Sequence, residues 1–272
     1  MNLKLFKKIY KYFCLLIAIF KEICLFPLLR NESEIKYKLS YEKRFALLNE
    51  LASKWGFQLY NKYSMWADDE DFWGLWKQFS EWKQSRAERK FVLWTLAKSV
   101  KGIAGDTVEC GVFSGGGSFL ISKVLCEGSD RVHHVFDSFE GLSEPSENDS
   151  PLSSVAPQWT KGDLSVPFDV VKTNLQDCKS IKFYPGWIPD EFIGVIDKKF
   201  VFVHIDVDLY EPTLESLKFF YERLVPGGVL LCDDYGSYWC SGARKAFDEF
   251  ILTCEEQSVI HLPTQQGFII KR

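Results

Sequence analysis

Two acidic runs carry the most chemistry in this 272-residue sequence: H-I-D-V-D-L-Y at His204 to Tyr210, and C-D-D-Y-G at Cys232 to Gly236. Each lies at the end of an apolar stretch with strand character, Phe200 to Asp206 and Gly228 to Cys232. Neighbouring parallel strands end at one edge of their sheet, so Asp206, Asp208, Asp233 and Asp234 are expected to converge there. Four like charges in one place call for a compensating cation, and all-oxygen ligation suits a hard ion such as magnesium. An ion held in this way acidifies a coordinated hydroxyl and orients it, while a nearby carboxylate takes the proton. The competing reading has these carboxylates capping loops or pairing with Arg244 and Lys245. His204 lies on the opposite strand face from Ile205 and reads as a hydrogen-bonded core residue rather than a catalyst.

A second constellation is the run V-E-C-G-V-F-S-G-G-G-S, Val108 to Ser118. Its glycines sit where a strand turns into a helix, so a cofactor can approach the backbone closely and meet free N–H groups at the helix start. The spacing does not match G-x-G-x-x-G, and such a turn serves dinucleotides and methyl donors alike. Glu109, just before the turn, suits a positively charged group such as an ammonium or sulfonium, or a structural role. In F-D-S-F-E-G-L, Phe136 to Leu142, Asp137 ends a strand where one carboxylate can accept hydrogen bonds from both hydroxyls of a ribose. The alternative is a helix N-cap. Glu140 and Gly141 then lead into the polar loop Ser143 to Ser154, which could close over a cofactor.

The elements that must position these residues are legible in the hydrophobic pattern. Strand candidates are Thr107 to Val112, His133 to Asp137, Ile181 to Tyr184, Phe200 to Asp206, Gly228 to Cys232, Ser258 to Leu262 and Gly267 to Ile270. The first five are separated by segments long enough for crossover helices, which predicts a parallel sheet. The last two are joined by a few residues around Pro263 to Gln266 and predict an antiparallel hairpin at the sheet edge. The fold class is therefore α/β, a mostly parallel seven-stranded sheet with one antiparallel edge strand and an N-terminal helical extension. We divide the chain into a basic and apolar helix (1–30), a helical extension serving as lid or interface (31–88) and the α/β domain (89–272).

The formal net charge of −4 gives no electrostatic reason to bind nucleic acid. The eight cysteines form neither C-x-x-C pairs nor a zinc-finger cluster, which points to a reduced, cytoplasmic setting. Lys4, Lys7, Lys8 and Lys11 precede an apolar run, Tyr12 to Phe20, too short to span a bilayer, for which about 20 residues are needed. No small-x-small cleavage site follows, so export is not expected. Residues 1–30 read either as a helix lying on the inner face of a membrane or as one packed on protein. Trp55, Trp66, Trp73, Trp76, Trp82 and Trp94, around the acidic stretch Asp68 to Asp71, read first as packing residues and second as a substrate lid.

Assembled, these motifs resemble the macrocin O-methyltransferase family, the TylF-like enzymes that methylate sugar hydroxyls. The resemblance covers roughly Arg89 to Phe250. It runs through E-C-G-V-F-S-G-G, F-D-S-F-E-G-L, Gly186-Trp187, H-I-D-V-D-L-Y-E-P-T, L-V-P-G-G-V, C-D-D-Y-G and G-A-R-K-A-F-D-E-F. It implies a Rossmann-like methyltransferase fold, S-adenosylmethionine as donor and magnesium held by Asp206, Asp233 and Asp234. It further implies that Glu109, Gly111, Gly115 and Ser118 line the methionine part of the donor, Asp137 and Ser138 the ribose, and Gly186 and Trp187 the adenine. Asp208 is the first candidate for the general base and Asp206 its rival, since alternation along a strand would put both on one face. Ser114 stands where many members carry arginine, and the first ninety residues do not match, so the acceptor is open: a sugar, a glycan or another small molecule. Family members often form oligomers, and the aromatic extension suits such an interface. The rival functions are a phenolic, catechol-type O-methyltransferase, a glycosyltransferase using Asp206 and Asp208 as a D-x-D pair, and a membrane-attached scaffold without catalysis.

Overall fold

The computed structural model describes residues 13, 14, 17, 20, 46–52, 68–82, 86–150, 158–254 and 258–272. The chain divides into two compact units, Met1–Asp69 and Glu70–Arg272. In the first, residues 46–52 are helical, and Phe13, Ile17 and Phe20 are helical and exposed. The rest of the expected amino-terminal helix, Trp55 and Trp66, and residues 151–157 of the polar loop lie outside the described residues.

The second unit contains a seven-stranded sheet. Its strands are β1 (Asp106–Cys110), β2 (His133–Asp137), β3 (Ile181–Pro185), β4 (Phe200–Ile205), β5 (Leu224–Cys232), β6 (Ile260–His261) and β7 (Gly267–Ile270). Their order is β3-β2-β1-β4-β5-β7-β6, with β7 antiparallel to both its neighbours and the rest running one way. The expected parallel sheet with a closing hairpin is therefore present. The helices are α1 (Glu70–Trp76), α2 (Ala87–Ser99), α3 (Gly116–Ile121), α4 (Phe168–Asn174), α5 (Tyr210–Arg223) and α6 (Ser241–Ile251).

Side chains alternate across each strand, so each face of the sheet supports its own apolar cluster. Val135, Phe202, Val229 and Leu231 pack with α1, α2 and α3, whereas Phe136, Val203, Leu230 and Cys232 pack with α5 and α6. On α6, Ala243, Ala246, Phe247 and Phe250 recur at helical spacing and are all buried. Phe72 and Trp76 of α1 are fully buried, and Trp76 stacks on Phe79 with ring centroids 5.4 Å apart. Trp73, Trp82 and Trp94 join the same cluster, so these tryptophans pack the helical layer rather than forming a lid.

Register determines where the chemistry collects. Cys110 pairs with Phe136 on one side and Ile205 on the other, and Ile205 pairs with Cys232. Strands β1, β2, β4 and β5 thus end in one row, and Gly111, Asp137, Asp206 and Asp233 follow directly. The connection order reverses between β1 and β4, which opens a crevice outside their carboxyl ends. Gly111 has φ +80, and a Cβ there would lie 1.9 Å from the carbonyl oxygen of Asp206. The two strand exits approach this closely only because the side chain is missing. Gly111→Ala is expected to lower unfolding free energy by at least about 2 kcal/mol, combining left-handed strain with a backbone clash. Urea denaturation measures it, and a loss under about 0.5 kcal/mol would contradict the close approach.

Candidate active site at the carboxyl edge of the sheet

A cavity of about 620 Å³ opens over this row of strand ends, a size suited to a cofactor or drug-sized ligand. Glu109, Gly111, Asp137, Ser138, Gly186, Trp187, Asp206, Asp208, Asp233 and Asp234 all line it. Gly115 and Ser118 do not. Gly115 packs on Leu175, and Ser118 is fully buried beneath Glu109, to which its hydroxyl donates. Gly116 and Gly117 take their place in the lining. A Cβ on Gly117 would fall 1.9 Å from Glu109 Oε1, so the glycine makes room for the carboxylate.

A chain of buried charges runs along the cavity floor. His204, fully buried, sets Nδ1 2.8 Å from Glu109 Oε1 and Nε2 3.3 Å from Asp233 Oδ1. Burial disfavours an imidazolium, but hydrogen bonds to two carboxylates outweigh it and raise the His204 pKa to about 9. Asp233 Oδ1 also accepts from Gln266 Nε2 at 2.6 Å, and its Oδ2 lies 2.5 Å from Arg89 Nη2. Arg89 reaches Asp234 Oδ1 at 3.0 Å and the Asp233 carbonyl as well. Burial opposes the Asp233 charge, yet Arg89 and His204 hold its pKa well below the ordinary value.

Much of the compensation for the acidic cluster therefore comes from Arg89 and His204. Arg244 and Lys245 have other partners, Asp248 at 3.5 Å and Asn148 at 2.5 Å. Asp206, Asp208 and Asp234 remain in excess. Burial first, and repulsion from neighbouring carboxylates second (Asp233 for Asp206, Asp206 for Asp208, Asp208 for Asp234), raise the pKa of all three, that of Asp208 to about 7. Asp234 Oδ2 is buried with no hydrogen-bond partner. Strand β4 ends at Ile205, and Asp208 takes a left-handed φ of 58°. Strand alternation therefore does not govern these two carboxylates: Asp206 clusters with His204 and Asp233, and Asp208 with Asp234 and Cys240.

Asp137 accepts the Val112 N–H through Oδ2 and the Phe139 N–H through Oδ1, both at 2.7 Å. Burial raises its pKa while these backbone donors oppose the rise. No helix begins at Asp137, so it closes a turn rather than capping a helix. With the Phe113 N–H as a third backbone donor, the carboxylate keeps acceptor capacity for a ligand. The polar loop is tied down near its middle, where Asp149 Oδ1 accepts the Tyr210 N–H at 2.7 Å at the start of α5.

Sequence reasoning missed Arg89, Gln266 and Cys240 as site residues. Arg89 precedes Asp233 by 144 positions and Gln266 follows it by 33, so no local spacing marks them. Cys240, four residues past the end of the second acidic run, reads as an ordinary buried thiol in the sequence.

The fold and site define an open α/β protein with a ligand cavity at its switch point. Residues 93–261, more than half of the chain, match the family described as Macrocin-O-methyltransferase (TylF), and the chain belongs to that family. A relative from Streptomyces olivaceus, 8-demethyl-8-(2,3-dimethoxy-alpha-L-rhamnosyl)-tetracenomycin-C 4'-O-methyltransferase, is 33% identical over 149 residues, covering 52% of this chain and 57% of the relative. Mycinamicin III 3''-O-methyltransferase of Micromonospora griseorubida is 30% identical over 160 residues, covering 55% of this chain and 61% of the relative. The chain thus spans less than two thirds of the length of these relatives. Among solved structures, the O-methyltransferase NovP shares the fold with a TM-score of 0.58 and 24% identity, over 68% of this chain and 80% of that one. The calicheamicin methyltransferase CalS11 has a TM-score of 0.56 and 17% identity, over 74% and 90%.

Arg89→Met leaves Asp233 and Asp234 buried without their guanidinium and is expected to destabilise the chain by about 3 kcal/mol at pH 7 without added divalent cation. Arg89→Met combined with Asp234→Asn should recover part of that loss in urea melts. Equal losses in the two variants would remove the ion pair from the account. His133 gives a pH-dependent test. Its Nδ1 lies 2.8 Å from the Thr107 hydroxyl and its Nε2 3.0 Å from Ser118 Oγ, and burial lowers its pKa to about 4. Because the folded pKa lies below the unfolded 6.5, its contribution is fully present above pH 6.5 and is lost as pH falls toward 4. Between pH 7 and pH 5 this amounts to about 2 kcal/mol, and His133→Gln should flatten the pH dependence by that amount.

Proposed function

We propose that this chain is an S-adenosylmethionine-dependent O-methyltransferase whose acceptor is a sugar-type hydroxyl. The observation that carries this reading is the meeting, in one cavity, of a glycine turn with Asp137 and of an acidic cluster with Asp208. The rhamnosyl group in the name of the Streptomyces olivaceus relative supports a sugar acceptor.

Asp137, at the end of β2, binds the ribose hydroxyls of the donor through its remaining acceptor capacity. Gly111 and Gly116 line the donor half of the cavity with backbone, and Trp187, 37% exposed, gives the adenine a face to stack on. Glu109 is immobilised by His204 and Ser118, and it presents a fixed negative potential to the donor's ammonium and sulfonium groups.

The residues present fit a hard divalent cation. Asp206, grouped with Asp233, and Asp234, grouped with Asp208, would supply carboxylate oxygens, including the unpartnered Oδ2 of Asp234, and Asp233 would add charge while its own oxygens are shared with Arg89, His204 and Gln266. Magnesium bound there would supply Lewis acidity toward the acceptor hydroxyl. Asp208 receives the hydroxyl proton. Its burial beside Asp206 brings its pKa near the working pH, which suits a general base. The enclosing walls align acceptor oxygen and methyl carbon for direct displacement and keep water away.

Asp208 clusters with Cys240 rather than with Asp206, which disfavours a D-x-D pair gripping one diphosphate-bound ion. Among the described residues no helix is long and apolar enough to cross a membrane. The exposed Phe13, Ile17 and Phe20, four and three positions apart on a basic segment, support a peripheral membrane contact of the cytoplasmic enzyme. Self-association through the aromatic extension belongs to the same reading.

Calorimetry with S-adenosylhomocysteine and magnesium tests the donor site. Micromolar binding is expected, at least about tenfold weaker in Asp137→Ala, since charge-assisted hydrogen bonds contribute about 1.5–3 kcal/mol. Asp208→Asn should bind the product normally and lose about 10²–10⁴-fold in methyl transfer to rhamnosides. Failure of the folded wild type to bind would sink the methyltransferase reading.

A further inference from the structure

The carboxylates Asp208 and Asp234 and the thiol of Cys240 form a set distinct from that of His204, Asp206 and Asp233. One ligand atom from each lies within 4.8 Å of the others. Two of the three are buried, Asp234 at 5% exposure and Cys240 at 4%, and Asp208 is half-buried. Asp234 Oδ2 is buried with no hydrogen-bond partner, and Cys240 Sγ donates to Asp208 Oδ1 at 3.2 Å. All three also line the cavity, which leaves the fourth direction open to solvent or ligand.

The geometry points to Asp208, Asp234 and Cys240 as a binding site for a thiophilic divalent cation such as zinc, cadmium or cobalt. Sulfur is the deciding donor. Magnesium avoids thiolates, whereas zinc and cobalt accept one thiolate and two carboxylates in a tetrahedral shell with an open fourth position. Such a shell requires ligand atoms a few ångströms apart, as these are. Cys240 stands at the N-cap of α6, where the helix terminus favours the anionic sulfur. Burial and the charges of Asp234 and Asp208 keep the thiol protonated when no cation is present. Binding therefore breaks the S–H bond, forms a sulfur–metal bond and releases one proton to the buffer.

The consequence for catalysis rests on the methyl-transfer reading; the binding does not. Asp208 is the proposed base, and Asp234 is also a proposed ligand of the hard ion. A thiophilic cation would engage the base and take Asp234 from the hard-ion site, so zinc would inhibit where magnesium supports.

The test is a titration of the reduced, full-length chain with cobalt, read as the thiolate-to-cobalt charge-transfer absorbance in the near ultraviolet. One equivalent of this band is expected in the wild type and in Cys178→Ser. It should vanish in Cys240→Ser, which keeps the size and the donor of the side chain. In Asp208→Asn, affinity should fall at least about tenfold, as for loss of a metal-site partner. The proposal is overturned by a folded wild type without the band, or by a band that survives unchanged in Cys240→Ser. Should that variant not fold by circular dichroism, the Asp208→Asn affinity decides in its place. S-adenosylhomocysteine binding is measured on the same preparation without metal. Its absence would count against the methyltransferase reading alone, and its presence with no cobalt band would count against the cation site alone.

Discussion

The buried ion chain Glu109–His204–Asp233–Arg89 is the interaction on which both fold and site depend. It joins the ends of β1, β4 and β5 to the first turn of α2, and Gln266 from the hairpin adds a neutral donor to Asp233. Each charge in it would be prohibitively costly to bury alone, and each is tolerable because its neighbours complete it. The elements that meet there are consequently fixed relative to one another. Glu109 cannot swing away without leaving His204 unpaired, and α2 cannot shift without leaving Asp233 uncovered. Preorganised charge of this kind costs no reorganisation when a ligand's own charge arrives.

Around this chain the sheet divides the cavity into two halves. The exits of β1, β2 and β3 present glycines, Asp137 and Trp187, a surface suited to a flat, hydroxyl-bearing cofactor. The exits of β4 and β5 present carboxylates that Arg89 and His204 only partly neutralise. Because the strands are parallel and in register, the halves face each other across one switch point, a few ångströms apart. The left-handed residue Asp208 then breaks the strand pattern and sends one carboxylate toward Cys240. That single backbone conformation gives the acidic edge two chemically different donor sets, one with His204, Asp206 and Asp233 and one with Asp208, Asp234 and Cys240.

The family match begins at residue 93, within α2, yet the compact unit begins at Glu70. The added α1 contributes Phe72 and Trp76 to the core beneath α3, and Trp76 packs against Gly116 of the glycine turn. A segment outside the matched region thus supports the floor of the cavity. Its tryptophans are large apolar surfaces that stabilise by burial, whereas Trp159 and Trp239 line the cavity wall.

The sequence by itself determined the α/β class, the parallel sheet with its closing hairpin, and the strand ends where ligands would gather. Those features rest on local signals: apolar periodicity, glycine at turns, acidic residues just past strands. It also marked Asp137, Asp206, Asp208, Asp233 and Asp234, because each lies within a few residues of a strand it terminates. What only the tertiary structure decided is which charges meet. Arg89 and Gln266 reach Asp233 from opposite ends of the domain, Ser118 turns out to hold Glu109 rather than line the cavity, and Cys240 joins Asp208 and Asp234. Pairings across such distances leave no spacing in the chain, since they depend on strand order, register and the path of each helix rather than on any neighbouring residue.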